Sequence, residues 1–183
     1  MFGKPRKVET EEELYEIAIR ALMRRSHSIS EMKKLLARRA ENDLLAQVVL
    51  ARLKEGGKLD DARYAKQFVR QRTEIRRQGK FRIMRDLRAR GVPDRHIEAA
   101  LQSAASENAG TVSDEAALIR NRIDRKLKSL RGPYPDKPVD DKKIASLYRS
   151  LLRAGFSADA VRSQIKRISS ADLPEHEDNE AQE

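Results

Sequence analysis

The chain contains no cysteine, which excludes disulfide bonds and thiolate metal ligands. No segment approaches the roughly 18 apolar residues that a membrane-spanning helix needs, and no apolar run of the secretory type follows the basic N-terminus. The three histidines, His27, His96 and His176, lie far apart without the spacing of a ligand set. We therefore expect a cytoplasmic protein with no membrane contact, no metal site and no cofactor.

Hydrophobic residues are also scarce, at 39% of the chain, with 4% aromatic and 37% charged residues. This composition is too polar for one large core and favours thin helical layers in which each helix buries one stripe. The 39 Lys and Arg residues outnumber the 29 Asp and Glu residues, so the net charge is +10. Such an excess favours an acidic partner, either nucleic acid or an acidic protein surface.

One pattern recurs three times, at residues 32–40, 83–91 and 147–155. Each copy reads as a helix that ends at a small residue and is followed by a second apolar helix. A repeat of roughly fifty residues is typical of stacked helical modules, which more often bind than catalyse. The first copy ends at Ala40, whereas the other two end at glycine, so the turn of the first copy is less well defined.

Apolar spacing and helix-start signals predict nine helices and no strand. The predicted fold is therefore all-α, with three tandem three-helix repeats that form an elongated, curved array. We expect a monomer, because polar end helices need no second copy. The predicted organisation is a flexible basic arm (1–9), repeats at 10–55, 56–105 and 113–169, a Pro-rich loop at 132–138 and a disordered acidic tail (170–183).

Several helix starts carry recognisable caps. Thr10 with Glu13 and Ser28 with Glu31 have the spacing of capping boxes, and Asn42 or Asp43 can begin the third helix. Asp60 and Asp61 precede the fourth helix; adjacent aspartates could be a catalytic or metal-binding pair, but in this position they are far more often caps. We therefore assign both aspartates to capping.

The fourth helix is expected to bury one face that includes Tyr64, Phe68 and Ile75. Arg72 falls on the same side of this helix, so we expect it to be partly buried beside a carboxylate.

The region from residue 70 to residue 90 is strongly basic. Nine basic residues, eight of them arginine, stand against Glu74 and Asp86. The planar guanidinium suits paired contacts with phosphate or carboxylate, whereas the scarcity of exposed aromatics argues against sequence-specific reading of single-stranded DNA. The predicted partner- or phosphate-binding residues are Arg70, Arg76, Arg77, Lys80, Arg82, Arg85 and Arg88.

The second repeat contains the most specific motif, whose elements are Leu59-Asp60-Asp61-Ala62-Arg63-Tyr64-Ala65, Phe68-Val69, Arg72, Gly79-Lys80-Phe81-Arg82-Ile83, Leu87, Arg90-Gly91-Val92 and Ile97. Over about residues 59 to 101 the chain resembles the RecX family of bacterial recombination regulators. The resemblance implies tandem three-helix repeats that bind the RecA recombinase and its filament on single-stranded DNA. It also implies inhibition of RecA ATPase, strand exchange and co-protease activity, and hence a role in homologous recombination, DNA repair and the SOS response.

The sequence offers no support for an enzyme. Gly79-Lys80 lacks the other residues of a phosphate loop, and no nucleophile elbow or catalytic carboxylate pair is present. A helical-repeat nucleic-acid binder that acts without a recombinase is the main alternative, and an adaptor or anti-sigma protein is a third. The sequence leaves open which repeat contacts RecA, whether DNA is bound directly, and whether filaments are capped or disassembled.

Overall fold

The structure is a computed structural model that describes residues 7–75, 77–107, 115–131 and 139–171. Within these ranges the only β pairing is an isolated bridge between Val8 and Ala40, so the all-α fold class predicted from the sequence is confirmed. The described helices are α1 (Glu11–Arg24), α2 (Ile29–Arg39), α3 (Asp43–Glu55), α4 (Asp61–Glu74), α5 (Lys80–Ala89), α6 (Asp94–Glu107), α7 (Glu115–Arg131), α8 (Asp141–Arg153) and α9 (Ala158–Ala171).

Each group of three successive helices has its own hydrophobic core, because every helix carries one apolar stripe at helical spacing. Burying one such side chain stabilises the fold by about 1.5–3 kcal/mol. Fully buried side chains include Leu14, Leu36 and Leu53 in α1–α3, Val69, Leu87 and Ile97 in α4–α6, and Ile119, Ile123 and Leu151 in α7–α9.

The described residues form two compact units. The first unit contains residues 7–75 and 83–107. The second contains residues 77–82, 115–131 and 139–171. The short segment 77–82, which the repeat pattern places in the second repeat, therefore belongs with the third group of helices. Within the described residues, every helix is too short or too polar to span a lipid bilayer.

The predicted caps have different outcomes. Ser28 and Glu31 form the predicted capping box at the start of α2, with both reciprocal hydrogen bonds present. The corresponding prediction for Thr10 is wrong, because its side chain makes no capping hydrogen bond. At α3, the side chain of Asn42 is the cap and accepts from the N–H of Leu45 at 2.9 Å.

The two adjacent aspartates serve two different helices. Asp60 is exposed and caps α4, accepting from the N–H groups of Ala62 (2.8 Å) and Arg63 (3.1 Å). Both hydrogen bonds lower the pKa of Asp60, and the one from Arg63 has the larger effect. Asp61 is buried and accepts from the N–H of Ile29 at 2.9 Å, in the first turn of α2. Asp61 therefore stabilises the start of a helix in the preceding repeat.

The end of α2 differs from the equivalent helix ends in the other repeats. Gly91 and Gly155 have left-handed backbone angles, with φ of 71° and 88°, which glycine adopts at little energetic cost. Ala40 is instead extended, with φ of −67° and ψ of 147°. This extended backbone pairs with Val8, whose N–H donates to the carbonyl of Arg39 at 2.8 Å.

The predicted arm, the predicted core residue Ile75 and the predicted loop and tail have different outcomes. Val8 is buried in the first core, so the C-terminal end of the predicted flexible arm is fixed in place, and its first six residues lie outside the described part. Ile75 is 73% exposed and not in the core as predicted. Its backbone is still helical and its N–H donates to the carbonyl of Gln71, but it lies at the end of α4, beyond Val69, the last buried residue of this helix. The Pro-rich loop 132–138 and residues 172–183 of the acidic tail also lie outside the described residues, whereas residues 170 and 171 still belong to α9.

Candidate functional site

The predicted basic residues that the structure describes are divided between the two units. Arg70 lies on α4, and Arg85 and Arg88 lie one helical turn apart on α5; all three are exposed and belong to the first unit. Arg77, Lys80 and Arg82 belong to the second unit. Arg76 is outside the described residues.

Two of the exposed arginines are paired with carboxylates. Arg70 contacts Glu74 at 3.2 Å, one turn further along α4. Arg88 contacts Asp94 at 2.7 Å, and this hydrogen bond raises the pKa of Arg88. Exposed ion pairs contribute little to stability, so either arginine can exchange its partner for an external anion at little cost.

The segment 77–82 is anchored on the turn between α8 and α9. The N–H of Gly79 donates to the carbonyl of Ala154 at 2.9 Å, and the N–H of Phe81 donates to that of Gly155 at 3.1 Å. The two glycines allow the backbones to approach closely, since a Cβ on Gly79 would overlap the carbonyl of Gly155. The turn predicted at Gly79-Lys80 is therefore also a packing contact with the third group of helices.

A cluster of three guanidinium groups forms in the second unit. Arg122 of α7 donates from Nη1 to the carbonyl of Arg77 at 3.3 Å. Burial lowers the pKa of Arg122, and the charges of Arg125 and Arg82 lower it further. We call Arg82, Arg122 and Arg125 the arginine cluster. An anion at this position would relieve the repulsion among the three side chains.

Sequence reasoning missed Arg122 and Arg125. Both lie on α7, whose sequence also contains Arg120, Lys126 and Lys128, so the basic character of this helix was visible. The missing information was proximity, because nothing local to α7 shows that it packs beside residues 77–82.

Two features of the segment 77–82 are typical of a binding surface. Arg77 has a φ of 48°, which is uncommon for a residue other than glycine, and backbone strain of this kind clusters at functional sites. Phe81 is 52% exposed, and the Nζ of Lys80 lies 5.3 Å from its ring centroid. The surface therefore includes an exposed aromatic ring beside a cation, an arrangement that can stack on a nucleic-acid base or a guanidinium group.

The groups of three helices and the arginine cluster together define an all-α protein with a cationic surface. A family model described as "RecX, second three-helix domain" matches residues 60–101. The chain is 36% identical over 152 residues to the regulatory protein RecX of Halorhodospira halophila, covering 83% of this chain and 86% of the relative. It is 31% identical over 144 residues to the RecX of Prosthecochloris aestuarii, covering 79% and 85% of the two chains. This chain belongs to the RecX family of regulatory proteins.

The fold comparison agrees with this assignment. The crystal structure of RecX from Lactobacillus salivarius superposes with a TM-score of 0.66, covering 87% of this chain and 97% of that chain at 19% sequence identity. A second crystal structure of a regulatory protein RecX superposes with a TM-score of 0.67, covering 85% and 71%. At this identity the likeness shows the shared helical fold.

Proposed function

We propose that this regulatory protein binds the RecA recombinase and the filament that RecA forms on single-stranded DNA. Binding inhibits the ATPase, strand-exchange and co-protease activities of RecA, and so modulates homologous recombination, DNA repair and the SOS response in the cytoplasm. The protein acts as a monomer by binding alone, without catalysis and without a cofactor. Its membership in a family of regulators supports this proposal.

The arginine cluster is the observation that carries the proposal. The pKa of Arg122 is lowered by burial and by its neighbours Arg125 and Arg82, so the positive charge is held at an energetic disadvantage when no anion is bound. A nucleoprotein filament presents both DNA phosphates and acidic side chains, and arginine binds either with paired hydrogen bonds. Binding to the filament would therefore offset the repulsion that Arg125 and Arg82 exert on Arg122.

A titration of RecA ATPase on single-stranded DNA tests the proposal. The wild-type protein should suppress ATP turnover at less than one molecule per RecA. The double variant Lys80→Glu/Arg125→Glu, which changes an exposed member of the arginine cluster and a cation of segment 77–82, should require about tenfold more protein, equivalent to about 1.4 kcal/mol. Lys80 is the first residue of α5, where an acidic side chain favours the helix dipole, so this half of the variant should not unfold the segment.

The matched control is Lys34→Glu/Arg38→Glu, which makes the same charge change on exposed positions of α2. This variant should inhibit like the wild type. Equal loss of inhibition in both double variants would show that net charge, and not the segment 77–82, determines binding.

The second candidate function is nucleic-acid binding without a recombinase partner, and the exposed Phe81 beside Lys80 favours it. The same titration separates the two functions. Unchanged RecA turnover, together with tight binding to single-stranded DNA at physiological salt, would support the second candidate. Direct phosphate contacts would also make that binding fall steeply with salt, because each neutralised phosphate releases counterions.

A further inference from the structure

The first unit contains a second group of arginines, none of which is among the seven predicted binding residues or in the arginine cluster. A cavity of about 520 Å³ lies between the α1–α2 turn, α4 and the end of α5. Its charged lining consists of Arg25, Arg72 and Arg90, and none of its lining residues is acidic. The volume is within the range of small-molecule and side-chain binding pockets.

Two of these arginines already hold a carboxylate. Arg25 contacts both carboxylate oxygens of Glu31, at 3.1 and 3.3 Å, and Arg90 contacts Glu31 at 2.7 Å. Burial alone would raise the pKa of Glu31, but the hydrogen bonds from Arg25 and from the N–H of Ser28 outweigh burial and lower it. The local geometry is therefore already suited to recognition of a carboxylate by guanidinium groups.

The third arginine has an unused donor. The guanidinium of Arg72 lies 4.7 Å from the ring centroid of Phe68, and that of Arg90 lies 5.2 Å from the same ring. The Nε of Arg72 is buried and has no hydrogen-bond partner among the described residues. The sequence predicted a carboxylate beside Arg72, and within the described ranges no carboxylate pairs with it. A buried donor without a partner is unfavourable, so a bound acceptor would be stabilised here.

The side chains around the cavity also carry an excess of positive charge. The three guanidinium groups outnumber the single carboxylate of Glu31 by two charges. Tyr64 adds a hydroxyl to the lining, and Gln67 and Gln71 add amide groups on successive turns of α4. Amides can both donate to and accept from a peptide backbone.

We propose that this cavity binds the carboxylate of an acidic peptide segment from a protein partner, with Arg72 and Arg90 donating to the carboxylate. The aromatic walls and the glutamine amides suit a peptide, and Glu31 shows that the arginines here bind carboxylates. Strand-binding sites for DNA are instead open grooves that follow the backbone. The proposal does not depend on which protein supplies the segment.

Arginine side-chain NMR on the ¹⁵N-labelled full-length protein tests this directly. The probes are an acetylated, amidated hexaglutamate peptide, inorganic phosphate and a 15-nucleotide oligo-dT. Hexaglutamate should shift the Nε–Hε resonance of Arg72 in a saturable manner, because this group gains a hydrogen bond. Phosphate and oligo-dT should leave the resonance unchanged at the same concentration.

Variants on α4 provide the matched comparison. Arg72→Gln should weaken hexaglutamate binding by about tenfold or more, whereas Lys66→Gln, which makes the same charge change at an exposed position of the same helix, should not weaken it. Arg72→Lys keeps the charge but lacks the Nε donor, and should lose most of the affinity. The wild-type resonance decides the question even where a variant is destabilised.

Three results would overturn the proposal. Equal weakening by Lys66→Gln would indicate attraction by net charge. A shift of Arg72 with oligo-dT but not with hexaglutamate would assign the cavity to nucleic acid, and no shift with any probe would remove the site. None of these measurements contains RecA, so their failure is distinct from a failure of the ATPase titration.

Discussion

Replacing Gly79 by alanine tests how the basic segment 77–82 is held in place. The added Cβ would overlap the carbonyl group of Gly155 and the backbone nitrogen of Phe156. Both contacts are with backbone, so no side-chain rotation can relieve them and the two segments must move apart. Gly79 does not have a left-handed φ, so the substitution perturbs packing without adding backbone strain.

The expected loss follows from two contributions. Overpacking of a close contact costs about 1–3 kcal/mol. The two hydrogen bonds at this contact, from Gly79 to Ala154 at 2.9 Å and from Phe81 to Gly155 at 3.1 Å, contribute about 0.5–1.5 kcal/mol each. With partial relaxation, we expect a loss of about 2–4 kcal/mol, which is a large part of the 5–15 kcal/mol typical of a domain.

Two other glycines separate packing from backbone strain. Gly57 has a φ of 63° and no atom within 4 Å of its added Cβ, so Gly57→Ala should cost only about 1–2 kcal/mol from the left-handed backbone. Gly155 combines a φ of 88° with overlap of its added Cβ on the backbone of Arg82. Gly155→Ala should therefore have the largest effect of the three.

Urea unfolding followed by circular dichroism measures these free energies. Amide hydrogen exchange of Gly79 and Phe81 gives a local measure, since both N–H groups are bonded across the contact. We expect both amides to be protected in the wild type and to exchange faster in Gly155→Ala. Two results together would refute the packing of segment 77–82 on the α8–α9 turn. Gly79→Ala would lower the free energy of unfolding no more than Gly57→Ala does, and the Phe81 amide would be unprotected in the wild type.

Two further predictions concern the first unit. Asp61→Ala should reduce the free energy of unfolding by about 1–2 kcal/mol in urea titrations, because it removes the acceptor of the Ile29 N–H; a loss below that of the exposed cap variant Asp60→Ala would contradict this role. Burial, followed by the charge of Arg25, lowers the pKa of His27 from its ordinary 6.5. Its contribution to stability is therefore complete above pH 6.5 and is lost as pH falls through the lowered folded-state pKa. His27→Gln should make the free energy of unfolding less dependent on pH between about pH 7 and pH 5. Glu31 does not titrate in this range, because its pKa is lowered from the ordinary value of 4.5. An unchanged pH dependence would exclude His27 as its cause.

The successful sequence predictions concern residues that interact with near neighbours. The capping box of Ser28 and Glu31 spans three residues, and the sequence also predicted that helices stop at Gly91 and Gly155, where glycine adopts a left-handed backbone at little cost. The prediction for Ile75 failed because helical periodicity shows which face of α4 a residue occupies, but not how far along the helix the core extends.

The candidate site was only partly predictable, because its residues come together from distant parts of the sequence. The basic character of residues 70–90 was evident from the sequence, but its division between two units was not. Arg122 donates to the carbonyl of Arg77 across 45 residues of sequence, so no local pattern could place these two residues together. The donor left without a partner on Arg72 was likewise invisible, because the sequence suggested a carboxylate that the described fold does not supply.

By itself, the sequence determined the helical class, the repeat, the positive charge and the family resemblance, because spacing, capping and composition act within a few residues. Only the tertiary structure decided which charges meet. It placed Asp61 at the start of a helix 32 residues away, anchored Arg82 on the carbonyl of Arg153 across 71 residues, and enclosed Arg72 in a cavity with two other arginines. These arrangements depend on close packing between helices, which is set by the whole fold and not by any single segment.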